Sequence, residues 1–133
     1  MTKATAHGSF ELSSWDEAPY EETDQGTKLT KAEVSQKFTG DLIGQGTAHW
    51  LMFYRSDGTA HFVGLHRIEG TLGDRQGTFV LETSGDFDGT SATWEAIVIA
   101  GSGTKDLAGL TGHGEFGAPK GPKATFELDY ELE

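Results

Sequence analysis

Apolar and polar residues alternate with a period of two along most of the chain, the pattern of strands with one buried face. The pattern is densest from Gly46 to Gly70, GTAHWLMFYRSDGTAHFVGLHRIEG, where two aromatic and aliphatic runs flank Asp57-Gly58, a two-residue hairpin signal. With Asp57 and Gly58 as the turn, Ser56 faces Thr59, and the register sets Phe53 opposite Phe62, Leu51 opposite Gly64 and His49 opposite His66. The other face then carries Tyr54 with His61, Met52 with Val63 and Trp50 with Leu65. Both faces are largely apolar, so this hairpin is expected to be covered on both sides, by a core and by a partner or a helix.

The remaining segments extend the same pattern. Thr5 to Ser14 predicts a first strand with Phe10 and Leu12 on one face, and the acidic, proline-containing stretch Trp15 to Gly26 predicts a loop or short helical turn. Lys28 to Ile43 alternates, with Ala32, Val34, Gln36, Phe38 and Leu42 on one side, and a turn at Gly44-Gln45 leads into the hairpin. That turn sets Phe38 opposite Leu51 and Gln36 opposite Phe53. A tight turn at Gly73-Asp74 sets Phe79 opposite Ile68 and Leu81 opposite His66. Strands at Gln76–Ser84, Ala92–Ile99, Leu107–Gly117 and Thr125–Leu132 follow, separated by glycine-rich turns and a loop at Ala118–Lys123. The last strand has Phe126, Leu128, Tyr130 and Leu132 on one face. About eight short-linked strands and no helix of ordinary length predict an all-β fold, a single eight-stranded antiparallel up-and-down β-barrel, as one domain over residues 1–133.

Composition narrows the partners. A formal net charge of -11 argues against nucleic acid and anionic membrane surfaces, both of which call for clustered Lys and Arg. The absence of Cys removes thiolate chemistry and disulfides. No apolar run has the length of a signal peptide or a membrane span, so the expected location is cytoplasmic.

Candidate chemistry centres on the inferred inner face. His49 and His66 become neighbours there, ~4.5–5.5 Å apart at Cβ, beside Gln36, and together could polarise one oxygen of a ligand. His66 and His49 are therefore the candidate catalytic pair. Gln36, Phe38, Leu51, Phe53, Phe62, Phe79 and Trp94 are the candidate ligand-binding walls. No third inward ligand accompanies the histidines, so no metal and no cofactor is expected. Gly112, Gly114 and Gly117 spell GxGxxG, but no βαβ unit surrounds them, and close strand packing is the better reading. Asp86, Asp88 and Gly89 lack the remaining ligands of a calcium loop and predict ordinary turn chemistry. No serine stands in a nucleophile elbow. A slip of one residue in the hairpin would exchange its two faces and pass the pocket to Trp50 and Tyr54.

Four segments, GSFELSSWDE, KAEVSQKFTGDLIGQGTA, FVGLHRIEGTLGDRQGTFVLETSG and GSGTKDLAGLTGHG, resemble the bacterial domain-of-unknown-function 3224 family across nearly the whole chain. The last is also similar to the glycine-rich strand of allene oxide cyclases and dirigent proteins. The resemblance implies an allene-oxide-cyclase-like barrel with an internal cavity, often oligomeric, whose wider relatives hold a reactive apolar intermediate without a cofactor. Two functions are then expected. One is a cofactor-free isomerase or cyclase working by conformational restraint on a small apolar substrate. The other is a lipocalin-like binding protein for a hydrophobic ligand. A homo-oligomer, most simply a dimer, is expected to bury the outer face of Trp50, Met52, Tyr54, Val63 and Leu65.

Overall fold

The computed structural model describes residues 2–23, 25–118 and 124–132. Its strands are β1 (Thr2–Glu22), β2 (Lys28–Gly40), β3 (Leu42–Tyr54), β4 (Ala60–Leu72), β5 (Arg75–Phe87), β6 (Ala92–Val98), β7 (Thr111–Ala118) and β8 (Ala124–Leu132). Each pairs antiparallel with the next and β8 returns to β1, closing an up-and-down barrel as the alternation requires. Among the described residues the helical content is one 3-10 turn, Lys105–Leu107.

Alternation sorts side chains as expected on most strands. Ala32, Val34, Gln36 and Phe38 of β2 are buried, as are Phe62, His66 and Ile68 of β4, Phe79 and Leu81 of β5, and Phe126, Leu128 and Leu132 of β8. The interior is a continuous aromatic packing: Phe10, Phe38, Trp94, Phe116 and Phe126 meet at centroid distances from 5.6 to 6.4 Å. Burying each such ring contributes roughly 1.5–3 kcal/mol, so the centre of the barrel is a core and not a channel. The glycines of GxGxxG lie in β7, where a Cβ on Gly114 would stand 2.4 Å from the Glu127 carbonyl oxygen. Close strand packing is the role of Gly112 and Gly114, whereas a Cβ on Gly117 would meet only Thr93 Cγ2, at 3.9 Å. Asp88 accepts hydrogen bonds from the backbone N–H groups of Thr90 and Ser91 (2.9 and 2.8 Å), which is turn chemistry.

Two turns differ from expectation. Tyr54 pairs with Ala60 and not with His61, so β4 is shifted by one residue against β3 from the register that Asp57-Gly58 alone implies. The Gly58 N–H donates to the Arg55 carbonyl (3.0 Å), the Arg55 N–H to the Thr59 carbonyl (2.8 Å), and Gly58 takes a φ of 90°. This is a turn followed by a left-handed glycine bulge, and it shifts the register by one. The β2–β3 reversal falls at Gly40-Asp41 instead of Gly44-Gln45. The Asp41 N–H donates to the His7 carbonyl, its carboxylate accepts from the His7 N–H, and its carbonyl accepts from the Gly73 N–H, each at 2.9 Å. Both changes reverse the faces of β3. Trp50 and Met52 are buried inside, whereas Leu51 and Phe53 stand outside at 51% and 40% exposure.

Two further boundaries move. Trp15 to Glu22 continues β1 instead of looping, after register shifts between Leu12 and Ser14 and between Pro19 and Glu21. Among the described residues this strand pairs beyond Phe10 with β2 alone, and a strand paired on one side tolerates Pro19 and a run of acids. The seventh strand begins at Thr111, not Leu107, because Leu107 and Leu110 turn inward and are buried in the β6–β7 connection. The expected loop 118–123 lies outside the described residues except for Ala118, which is in β7. The two ends of the barrel therefore differ. Leu42, Leu72, Leu107 and Leu110 close one end. The other ends at half-buried Tyr54, Phe87, Ala92 and Ala118, with Leu12 and Trp15 exposed on the one-sided part of β1.

Candidate functional site

The chemistry expected of a histidine pair does not assemble. His49 is on the outer wall, its Nε2 3.8 Å from Glu33 Oε1, and Ala48 occupies the place opposite His66. The expected inward positions of His49, Leu51 and Phe53 are thus corrected by the β3 register. Gln36, Phe38, Phe62, His66, Phe79 and Trp94 do point inward.

His66 sits deep in the core, between the rings of Phe38 (5.7 Å) and Phe116 (6.4 Å). No protein group hydrogen-bonds to either ring nitrogen, nor to either amide atom of Gln36, so the two do not bond each other. Burial pushes the His66 pKa down from 6.5 to about 3, with no charged neighbour contributing. Gly46 makes room for the ring: a Cβ there would lie 2.8 Å from His66 Nε2. His66 is a neutral ring at ordinary pH, remote from solvent.

The concave site lies instead at the end bounded by Tyr54, Phe87, Ala92 and Ala118. A cavity of about 200 Å³ is walled by Trp50, Met52 and Tyr54 of β3, Phe62 of β4, Phe87 of β5, Ala92 and Trp94 of β6 and Ala118 of β7, with Leu12 and Trp15 at its lip. The rings interlock: Trp50 lies 5.0 Å from Phe62, 5.2 Å from Trp94 and 6.0 Å from Trp15. The Trp50 N–H donates to Thr83 Oγ1 (2.9 Å), whose hydroxyl donates to the Gly64 carbonyl (3.2 Å), which fixes the indole. Among the described residues Trp94 Nε1 has no acceptor.

One carboxylate organises the rim. Glu17 pairs with Ala32 on the inner side of β1, and it accepts from Trp15 Nε1 (2.9 Å), the Thr30 hydroxyl (2.5 Å) and the Tyr54 hydroxyl (2.7 Å). Partial burial alone would raise its pKa. The hydrogen bonds from Thr30, Tyr54 and Trp15 and the charge of Lys28 outweigh that and hold it below the usual carboxylate range. Burial, then the bond to Glu17, pushes the Tyr54 phenol above its ordinary value. Lys28 Nζ lies over the Tyr54 ring, 4.9 Å from its centroid.

Sequence reasoning placed Trp50, Met52 and Tyr54 on the outer face and left Trp15 and Glu17 in a loop. The available signal was the alternation Trp15, Glu17, Pro19, masked by flanking acids. A broader groove of about 860 Å³ crosses the outer wall over Glu95, Glu115 and Glu127, which stand directly opposite one another on β6, β7 and β8. Its acids face solvent and form no enclosed site. Among the described residues no group of three or more His, Asp or Glu could hold a metal, and no helix is long and apolar enough to cross a membrane.

No curated protein matches the chain. A solved structure of a DUF3224-family protein of unknown function from Shewanella oneidensis MR-1 is similar over 99% of each chain, with a TM-score of 0.80 at 23% identity, which establishes a shared fold. Residues 6–130 match the family described as protein of unknown function DUF3224, and the chain therefore belongs to that family.

Proposed function

We propose that the protein binds a small, largely apolar molecule in the aromatic cavity at the Tyr54–Ala118 end of the barrel. The observation that carries this reading is the cavity itself: about 200 Å³, walled almost entirely by apolar side chains and reached past Leu12 and Trp15. Of the two expected functions, the geometry favours binding over isomerisation. Tyr54, the ionisable residue of the walls, donates its hydroxyl to Glu17, Glu17 is itself committed to three donors, and neither His49 nor His66 lines the walls. The test is titration with a neutral fluorescent arene such as 1-aminoanthracene, read by its own emission and by tryptophan quenching. Saturable binding that is abolished by Ala92→Phe, in a variant that keeps its far-ultraviolet spectrum, supports the reading. No saturable signal up to the solubility of the dye overturns it.

We propose also that a second copy covers the outer strip of Leu51, Phe53, Val63 and Leu65, which are between 40% and 51% exposed on two adjacent strands. Lys31 flanks the strip on β2 and Glu82 flanks it on β5. A two-fold axis along the strands brings these opposite charges together.

A further inference from the structure

We infer that the cavity selects an organic cation, an amine or quaternary ammonium carried on a small apolar body, with the charge read at the rim by Glu17 and the aromatic faces around it. The inference rests on the binding role proposed above and names the class of ligand. Trp15, Trp50, Tyr54 and Trp94 contribute aromatic rings to the lining, and the face of such a ring carries a negative quadrupole that attracts a cation within about 6 Å of its centroid. Tyr54 already holds one, Lys28 Nζ at 4.9 Å, so a cation is accommodated at this rim.

The carboxylate supplies the second half of the recognition. Glu17 is bonded directly to two residues that line the cavity, Trp15 and Tyr54. Its three donors are all neutral groups, so its charge is oriented but not neutralised by them. Glu21 and Glu22 follow on the same strand. Anionic ligands are disfavoured for the same reason, because a carboxylate or phosphate at this lip would face Glu17 across a low-dielectric wall. A neutral apolar ligand uses the walls and leaves the rim charge unused. An ammonium with an apolar body uses both.

Lys28 makes the inference testable, because it is the resident competitor for the same face and charge. The probes are benzyltrimethylammonium, its neutral carbon isostere neopentylbenzene, and phenylacetate, each displacing bound 1-aminoanthracene. The cation is expected to bind about tenfold more tightly than the isostere, with phenylacetate weakest. Glu17→Gln, which also disturbs the Trp15 and Tyr54 walls, should reduce the ratio of cation to isostere affinity to about one, whereas Lys28→Met should raise that ratio. Opposite changes of the ratio in the two variants are not produced by a merely structural loss at the rim, which lowers both affinities together. If the isostere binds as tightly as the cation, or if Glu17→Gln weakens both equally, cation selection is overturned and the apolar cavity stands. If none of the probes displaces the dye and the dye itself does not bind, both proposals fall.

Discussion

Replacing His66 by Leu removes the one ionisable side chain buried in the aromatic interior among the described residues, and the consequence can be worked from its surroundings. The ring is wholly buried among Phe38, Phe116 and Gly46, and burial lowers its pKa from 6.5 to about 3. Above the unfolded value of 6.5 the ring is neutral in both states and pH has no leverage on it. Below that value the unfolded chain takes up a proton that the folded chain refuses until about 3, so stability falls as the pH falls through this window. The slope approaches about 1.4 kcal/mol per pH unit, which amounts to about 2 kcal/mol between about pH 7.5 and about pH 5. Leucine has no such proton. Urea unfolding followed by tryptophan fluorescence at the two pH values should therefore show the parent losing about 2 kcal/mol more than His66→Leu. Carboxylates with lowered pKa values, among them Asp88 at about 2, act equally in both proteins and cancel in the difference. At neutral pH the variant should match or exceed the parent, because two unpaired ring nitrogens, each costing roughly 1–3 kcal/mol, are replaced by hydrocarbon. Equal losses on acidification would refute the reasoning, since they would mean that the folded core protonates this ring. A variant destabilised by several kcal/mol at neutral pH would refute it too, by showing that the nitrogens are satisfied.

Three other outcomes follow from the same geometry. Gly46→Ala places a Cβ 2.8 Å from His66 Nε2 and 2.9 Å from the Arg67 carbonyl oxygen, and should cost roughly 1–3 kcal/mol in urea unfolding, whereas an unchanged midpoint would show that the β3–β4 contact is looser than described. Tyr54→Phe removes a 2.7 Å hydrogen bond to Glu17, costing about 1 kcal/mol. The Glu17 pKa should then rise toward its ordinary value in a carboxyl-carbon NMR titration. Because a depressed carboxylate stabilises above its unfolded pKa and loses that contribution as pH falls, the variant should also lose less stability on acidification. Sedimentation of Leu51→Lys combined with Val63→Lys should give a monomer where the parent gives a dimer, and identical sedimentation of the two would remove the outer strip as an interface.

Most of the fold was legible because period-two alternation fixes inward positions strand by strand, without reference to neighbours. Ala32, Val34, Gln36 and Phe38 were placed that way, and so were Phe126, Leu128 and Leu132. Pairing is less local. At the β3–β4 connection, Asp57-Gly58 was read as the two central residues of a turn, whereas Gly58 is the left-handed residue after it. Sequence shows that glycine is present but not which turn position it fills, and one residue decides the face of every side chain on the strand.

The two turn errors interact in a way that explains which site residues survived. Each reversed the faces of β3 relative to a neighbour, the first relative to β2 and the second relative to β4, so they cancelled everywhere except on β3 itself. Gln36 and Phe38 on one side and Phe62 and His66 on the other were therefore inward as expected. His49, Leu51 and Phe53 exchanged places with Ala48, Trp50 and Met52. Agreement between two turns is thus weak support for a register, because paired slips preserve the agreement. The stronger criterion was chemical: with Trp50 outside, a large indole and Met52 lay on the solvent face, while a barrel wall had to accept His49. The exchange turns Leu51 and Phe53 outward, so the apolar terms largely offset one another, and the arrangement found differs chiefly in that no wall position has to desolvate His49. That register also brings Trp50 inside, beside Trp15 and Trp94, and so assembles the cavity from residues far apart in sequence.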